Sequence, residues 1–454
     1  MTNQFQAMAA IRYGFGLSPL DEPPASVQDM LNRLSGPDRA AQRWPIAGFE
    51  QRARETFALQ DLRRKERKKG KTDISEVKKL YHALSRGLMK DLGASVQRAI
   101  GGDDAFRERL VRFWADHFTV VAKGKGLRFV TTAYVEEAIR PHVTGRFSDL
   151  LKSADTHPAM LVYLDQILSI GPHSPIGKRS GRGLNENLAR EIMELHTLGV
   201  GASYTQKDVR QFAELLTGLF YNFRTGSKFR AAAAEPGAET VLGRSYGGGT
   251  ASIADIHAAL DDLARHPDTA RHIAWKLAVH FVSDNPDQGL VDHVAATFRD
   301  SDGDLMAVYM ALLEHPAAWA TPGEKARQPF DYVVAALRAL AVPPAYIGRL
   351  KPVDIRRWLF APMAVMGQPW QQPNGPDGWP EETDYWITPS GLAARIEWAL
   401  MAADKLGRRT DPRELARRAL AGGADARMLQ VVGAAESRRE GVALVLASPE
   451  FNRR

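Results

Sequence analysis

Apolar residues recur at three- and four-residue intervals through most of the chain, the spacing that gathers them on one stripe of an α-helix. This predicts helices near 27–34, 47–66, 75–100, 105–121, 131–143, 147–154, 157–165, 185–199 and 205–219. Further helices are expected near 252–265, 268–283, 287–299, 303–314, 326–340, 390–405, 412–421 and 435–447. Several carry their own end signals: Pro158 in a first turn, a Thr205/Asp208 capping pair, and Gly199 just past a last turn. Helical period is lost at 222–250, where Val241-Leu242-Gly243 and Tyr246-Gly247-Gly248-Gly249 suggest a loop or small hairpin. The expected fold class is all-α: large multi-helix domains with long ordered loops and at most a small β-hairpin. The expected division is 1–225, a connector at 226–250, and 251–454.

Two helices break the apolar/polar pattern. On a wheel of 185–199, Leu184, Leu188, Ile192, Leu195 and Leu198 form one arc with Glu191 inside it. Asn187 and Glu194 border the arc, and His196 falls on the far side. A carboxylate among leucines must be paired, protonated or metal-bound, because an isolated buried charge is costly. In the 105–121 helix, Phe106, Leu110, Phe113, Trp114 and Val120 share a face with His117 near its middle, while Arg109, Arg112 and Asp116 lie on the polar side. A lone histidine there is ordinarily a satisfied core residue. Beside Glu191 it gains a second reading, since each group can partner the other.

Five of the nine tryptophans fall in 355–398: Trp358, Trp370, Trp379, Trp386 and Trp398. The intervening 367–389 stretch is too rich in Pro and Gly for a helix, so it is expected to be a long ordered loop. Its tryptophans either stack on a planar or sugar ligand or plug a core. His272 and His280 flank Trp275 and Lys276, but a spacing of eight does not suit one metal ion.

Composition narrows the chemistry. With 454 residues, 44% hydrophobic and 25% charged, the chain is long enough for one or two large cores. The net charge of +7 is concentrated in Arg63, Arg64, Lys65, Arg67, Lys68, Lys69 and Lys71, expected to be a solvated connector. No aromatic residue interrupts that run, which speaks against nucleic acid as a partner. The absence of cysteine excludes thiolate nucleophiles and Cys-ligated metals. No apolar run is long enough to span a membrane, and the first residues do not resemble an export signal, so a cytoplasmic location is expected. Walker, G-x-S-x-G, H-E-x-x-H and EF-hand patterns are missing.

Four motifs together resemble a known family. Phe113-Trp114-Ala115-Asp116-His117-Phe118 is similar to the F-W-x-x-H-F signature of the bacterial domain-of-unknown-function 1800 family. Asn185 to Gly199, Tyr204 to Val209 and Leu216-Thr217-Gly218 resemble its central signature. Ile11 to Gly16 resembles the N-terminal one, and Pro373-Asn374 to Trp379-Pro380 with Trp386 the C-terminal loop. The resemblance implies no established activity. It implies a companion protein of the domain-of-unknown-function 1501 family as a partner, and frequent export among relatives. Relatives often carry a histidine where this chain has Glu235.

Three classes of function follow. In the first, a carboxylate-based hydrolase acting on a glycan, Glu191 with His117 is the general acid and Glu194 or Asp116 its ionised partner. Asn187, Arg190, Trp370, Trp379 and Trp386 then hold substrate. In the second, Glu191, Glu194 and His117 ligate a metal. In the third, these groups form a buried structural network in a non-catalytic partner protein. No cofactor is legible in the sequence.

Overall fold

The structure, a computed structural model, describes residues 4–69, 74–122, 124, 126–222, 225–226, 229–320 and 322–454. Helices dominate, and the strands Ala238–Val241 and Arg244–Gly247 pair antiparallel in one hairpin, Val241 opposite Arg244. Long apolar-periodic segments become single helices, among them Ile74–Gly101, Ala105–His117, Pro267–Phe281, Pro329–Ala339 and Pro389–Leu406. The 49–69 segment is one helix through Lys69, so the basic run is helical where a connector was expected, and Arg63, Arg64, Lys65, Arg67 and Lys68 are exposed on it. Lys71 lies outside the described residues.

The apolar side chains gather into two main cores. One contains Phe106, Leu110, Phe113, Trp114, Phe147, Leu188, Ile192, Ile273, Leu277 and Phe281. The other contains Leu88, Leu92, Phe330, Val333, Leu337, Trp398 and Leu446. Each draws residues from both sides of 226–250.

The 105–117 helix lies between the cores and explains its own pattern. Its apolar face enters the first core. The opposite face, with Glu108, Arg109, Arg112 and Asp116, meets the second core and a cavity instead of bulk water. Charges taken into an interior need partners, and along this seam they have them. Arg140 makes a forked pair with Glu108 at 2.8 and 2.7 Å, and Arg98 reaches Glu136 at 2.7 Å. Arg109 pairs with Asp331, and Arg52 holds Asp91 at 2.7 Å.

The 185–199 segment departs from a regular helix. An α-helical turn at Asn187–Glu191 passes into a π-helix at Ile192–His196. Hydrogen bonds from i to i+5 hold one more residue per turn than i to i+4, so the 100° wheel slips there. His196 therefore rotates inward, 1% exposed, and stands 2.8 Å from the equally buried Asp155. Glu191 turns out only half-buried, a correction to the expectation of a carboxylate enclosed by leucines.

Candidate functional site

The site assembles where the 105–117 helix ends. Asp116 is on the last turn, and the Pro/Gly/Trp loop folds over it. Both carboxylate oxygens of Asp116 accept the Trp379 backbone N–H, at 3.0 and 3.1 Å. Gly378 permits this approach: it has φ +83°, and a Cβ there would stand 2.7 Å from the Asp116 carbonyl oxygen. The 3.8 that is usual for an aspartate is pushed up to about 7 at Asp116, by burial first and then by Glu381. Lys276, the Trp379 N–H and Arg112 oppose the rise.

Lys276 comes from the 267–281 helix. Burial lowers its ammonium pKa, and Asp116, Glu381 and Asp377 offset part of that. It makes no hydrogen bond or ion pair within 4 Å among the described residues. Asp377, on the same loop as Trp379, acts on both Lys276 and Glu191. Glu191 is raised by burial; His196 and Arg190 oppose this, while Glu194 and Asp377 add to it. Glu191 too lacks a hydrogen-bond or ion-pair partner among the described residues. Asp116, Lys276, Asp377 and Glu191 are thus linked as a chain of electrostatic neighbours, Asp116 to Lys276, Lys276 to Asp377 and Asp377 to Glu191, and none has an arginine bonded to it among the described residues.

Behind Lys276 the wall is fully paired. His280 shares Nε2 with Arg109 at 3.1 Å and Nδ1 with Glu381 at 2.6 Å. Lys325 spans Asp284 at 2.5 Å and Glu381 at 3.4 Å. Against the penalty of burial, His280, Lys325 and Arg454 hold the Glu381 carboxyl well below the usual range. Arg109 and Arg112 likewise outweigh burial at Asp331 and hold it at about 2.

The remaining expected residues separate into distinct places. His117 is 2% exposed. Its Nε2 bonds the His196 carbonyl at 3.1 Å, and its Nδ1 has no partner. Burial, then Lys276, pushes its imidazole well below the usual range, so it is neutral. Glu194 joins a surface ladder: Arg190 reaches Glu194 at 3.0 Å and Glu186 at 3.4 Å. Asn187 is exposed. His117, Glu191 and Glu194 do not form a ligand set, and no group of three metal-ligating side chains of suitable geometry occurs among the described residues. Trp370 and Trp386 are buried in the structure, with Trp370 stacked at 5.5 Å on Phe330 and the Trp386 indole donating to the Pro380 carbonyl at 2.8 Å. Trp379 alone of the three keeps substantial exposure. His272 donates from Nε2 to the Leu195 carbonyl oxygen at 3.1 Å, apart from the His280 network. Glu235 latches the 171–174 loop, accepting the His173 backbone N–H at 2.9 Å and pairing with its ring.

Sequence reasoning missed Lys276, Asp377 and Glu381. Lys276 does carry a signal, a cation between two apolar-facing histidines on one helix. The two acids sit in a loop, where no periodicity reports burial.

A family model described as a protein of unknown function (DUF1800) matches residues 8–453. The chain belongs to the DUF1800 family. No curated protein and no solved structure matches it. The DUF1800 match takes in every residue of the cleft, from Asp116 to Glu381. No described helix of this DUF1800 chain is long and apolar enough to cross a membrane.

Proposed function

We propose that the protein is a carboxylate-based hydrolase acting on a polar, sugar-like substrate at the cleft between Asp116, Glu191 and Lys276. The observation that carries this reading is a contrast. Glu108, Asp331, Glu136 and Asp91 in the seam are each bonded to an arginine, and Asp91 is raised even so, whereas Asp116 and Glu191 combine a raised pKa with no arginine or lysine partner among the described residues. Structural ions are paired to offset desolvation, while acid–base groups are tuned toward the working pH.

At neutral pH Asp116, poised at about 7, exists in both forms and can give a proton to a leaving oxygen or take one from water. Lys276 supplies a positive charge that no neighbour neutralises by contact, suited to stabilising negative charge that develops on oxygen. Glu191 is the second carboxyl, and the exposed part of Trp379 offers a surface for a sugar ring. His117, neutral and enclosed, holds the His196 carbonyl instead of transferring protons. The Glu186–Arg190–Glu194 ladder is surface reinforcement.

The test is turnover of a panel of chromogenic glycosides and sugar esters by the parent, Asp116→Asn and Glu191→Gln. Activity with a pH limb near 7, lost in both variants with no fall in either thermal midpoint, supports the reading. A fall of about 3–5 kcal/mol in the stability of Glu191→Gln, as expected for a broken buried ion pair, together with no turnover by the parent, refutes it.

A further inference from the structure

We propose that the cavity beside Asp116 binds a small carboxylate, or the carboxylate end of a larger substrate, with Arg112 as its charge partner. The site deepens the hydrolase reading by naming a substrate class, and it rests on that reading for the reaction but not for the binding.

The cavity measures about 120 Å³ and runs inward from Asp116 and Trp379. That is ample room for a group the size of a carboxylate together with water. Phe15, Phe330 and Met363 give it apolar walls. Besides Asp116, whose carboxylate accepts the Trp379 N–H at the mouth, three groups on it have donors to spare. Arg112 lies flat over the Phe330 ring at 3.8 Å; its Nε is 3.6 Å from Asp331, and it makes no hydrogen bond among the described residues. Asp331 gives its Oδ2 to Arg109 and turns its Oδ1 toward Arg112 Nε, which leaves the two terminal nitrogens of Arg112 without an acceptor among the described residues. Trp370 is 8% exposed, lines the cavity, and its indole N–H has no acceptor.

Gln371 adds a third donor. Its side-chain oxygen takes the Thr132 hydroxyl at 2.9 Å, which leaves the amide N–H groups to offer. Its backbone is held at φ +54° while its carbonyl accepts the Ala122 N–H at 2.8 Å. A non-glycine residue kept in the left-handed region costs free energy, and such residues concentrate at ligand sites. The acids on the far wall, Glu108 and Glu136, are taken by Arg140 and Arg98. The unmet demand is therefore for an acceptor with negative charge. A planar carboxylate matches one guanidinium fork. A phosphate, with more charge, calls for more cations than Arg112, which also faces Asp331 at 3.6 Å.

The experiment is a titration of the full chain at constant ionic strength, by calorimetry and thermal shift. The probes are acetate, lactate and malonate, with acetamide and lactamide as uncharged matches and inorganic phosphate as the competing anion. Carboxylates are expected to bind and raise the midpoint, and the amides and phosphate are not. Trp370→Phe keeps an aromatic ring beside Phe330 but removes the N–H together with part of the indole's bulk, so it should weaken carboxylate binding about tenfold at some cost in stability, with the thermal midpoint read alongside. Arg112→Gln should abolish it. Equal binding of amides or phosphate, or undiminished carboxylate binding by Trp370→Phe, overturns the proposal. Carboxylate binding retained in Asp116→Asn, with no substrate turned over by the parent, leaves this site standing and removes the hydrolase reading. Turnover without carboxylate binding does the reverse.

Discussion

Replacing Asp116 with asparagine should stabilise the folded protein, and only above a definable pH. The change is nearly isosteric, and the amide oxygen can still accept the Trp379 N–H that reaches the carboxylate at 3.0 Å. In the folded state the group titrates at about 7, against 3.8 for an ordinary aspartate. Below pH 4 the carboxyl is protonated in both folded and unfolded chains, and the parent bears no penalty. Between 4 and 7 the unfolded chain releases the proton while the folded one keeps it, so parent stability falls as pH rises. About three pKa units at 1.36 kcal/mol each set an upper bound of about 4 kcal/mol, reached above pH 7. The value of about 7 already contains the opposing attraction of Lys276; Asp116 is only partly shielded from water, and solvent screening trims the expected gain to about 2–4 kcal/mol. Unfolding entropy of about 2.1 cal/mol/K per residue makes about 1 kcal/mol/K for this chain, so the midpoint should rise by about 2–4 °C. Denaturant unfolding of both proteins at pH 4, 5, 6, 7 and 8 gives the difference curve. A difference that does not grow from pH 4 to 7, or a variant less stable than the parent at pH 8, refutes the reasoning.

Two further substitutions probe the supports of the cleft. Arg109→Met leaves Asp331 with Arg112 at 3.6 Å and deprives His280 of a neighbour at 3.1 Å. It should cost about 3–5 kcal/mol by denaturant unfolding at pH 7, and a loss under about 1 kcal/mol would show that Arg112 already carries the pair. Because Asp331 is depressed to about 2, its stabilising share is present above pH 4 and lost as pH falls toward 2. Gly378→Ala places a methyl 2.7 Å from the Asp116 carbonyl oxygen at φ +83°, so the loop must shift. It should cost about 1–3 kcal/mol and change the tryptophan emission of the loop. An alanine variant matching the parent in both would mean that Gly378 does not hold Trp379 on Asp116.

Helical period alone determined the all-α class, most helix positions and the hairpin, because burial of an apolar stripe is a local property of spacing. The same spacing correctly put His117 inside, and it set Asp116, Arg109 and Arg112 together on the opposite face. What that face meets was decided by tertiary structure. A second core, built in part by residues more than two hundred positions later, converts a polar stripe into a buried seam, and no local pattern records that. Glu191 and His196 exchange places relative to the wheel because the helix widens to a π turn at Ile192–His196, and uniform 100° steps assume a regular helix. Trp386 was legible as anchored or stacking but not as which, since burial in a loop has no period. Lys276, Asp377 and Glu381 meet Asp116 only because the Trp/Pro/Gly loop folds back onto the end of the 105–117 helix. Electrostatic tuning depends on through-space distance and solvent exclusion, and those exist only once the chain has folded.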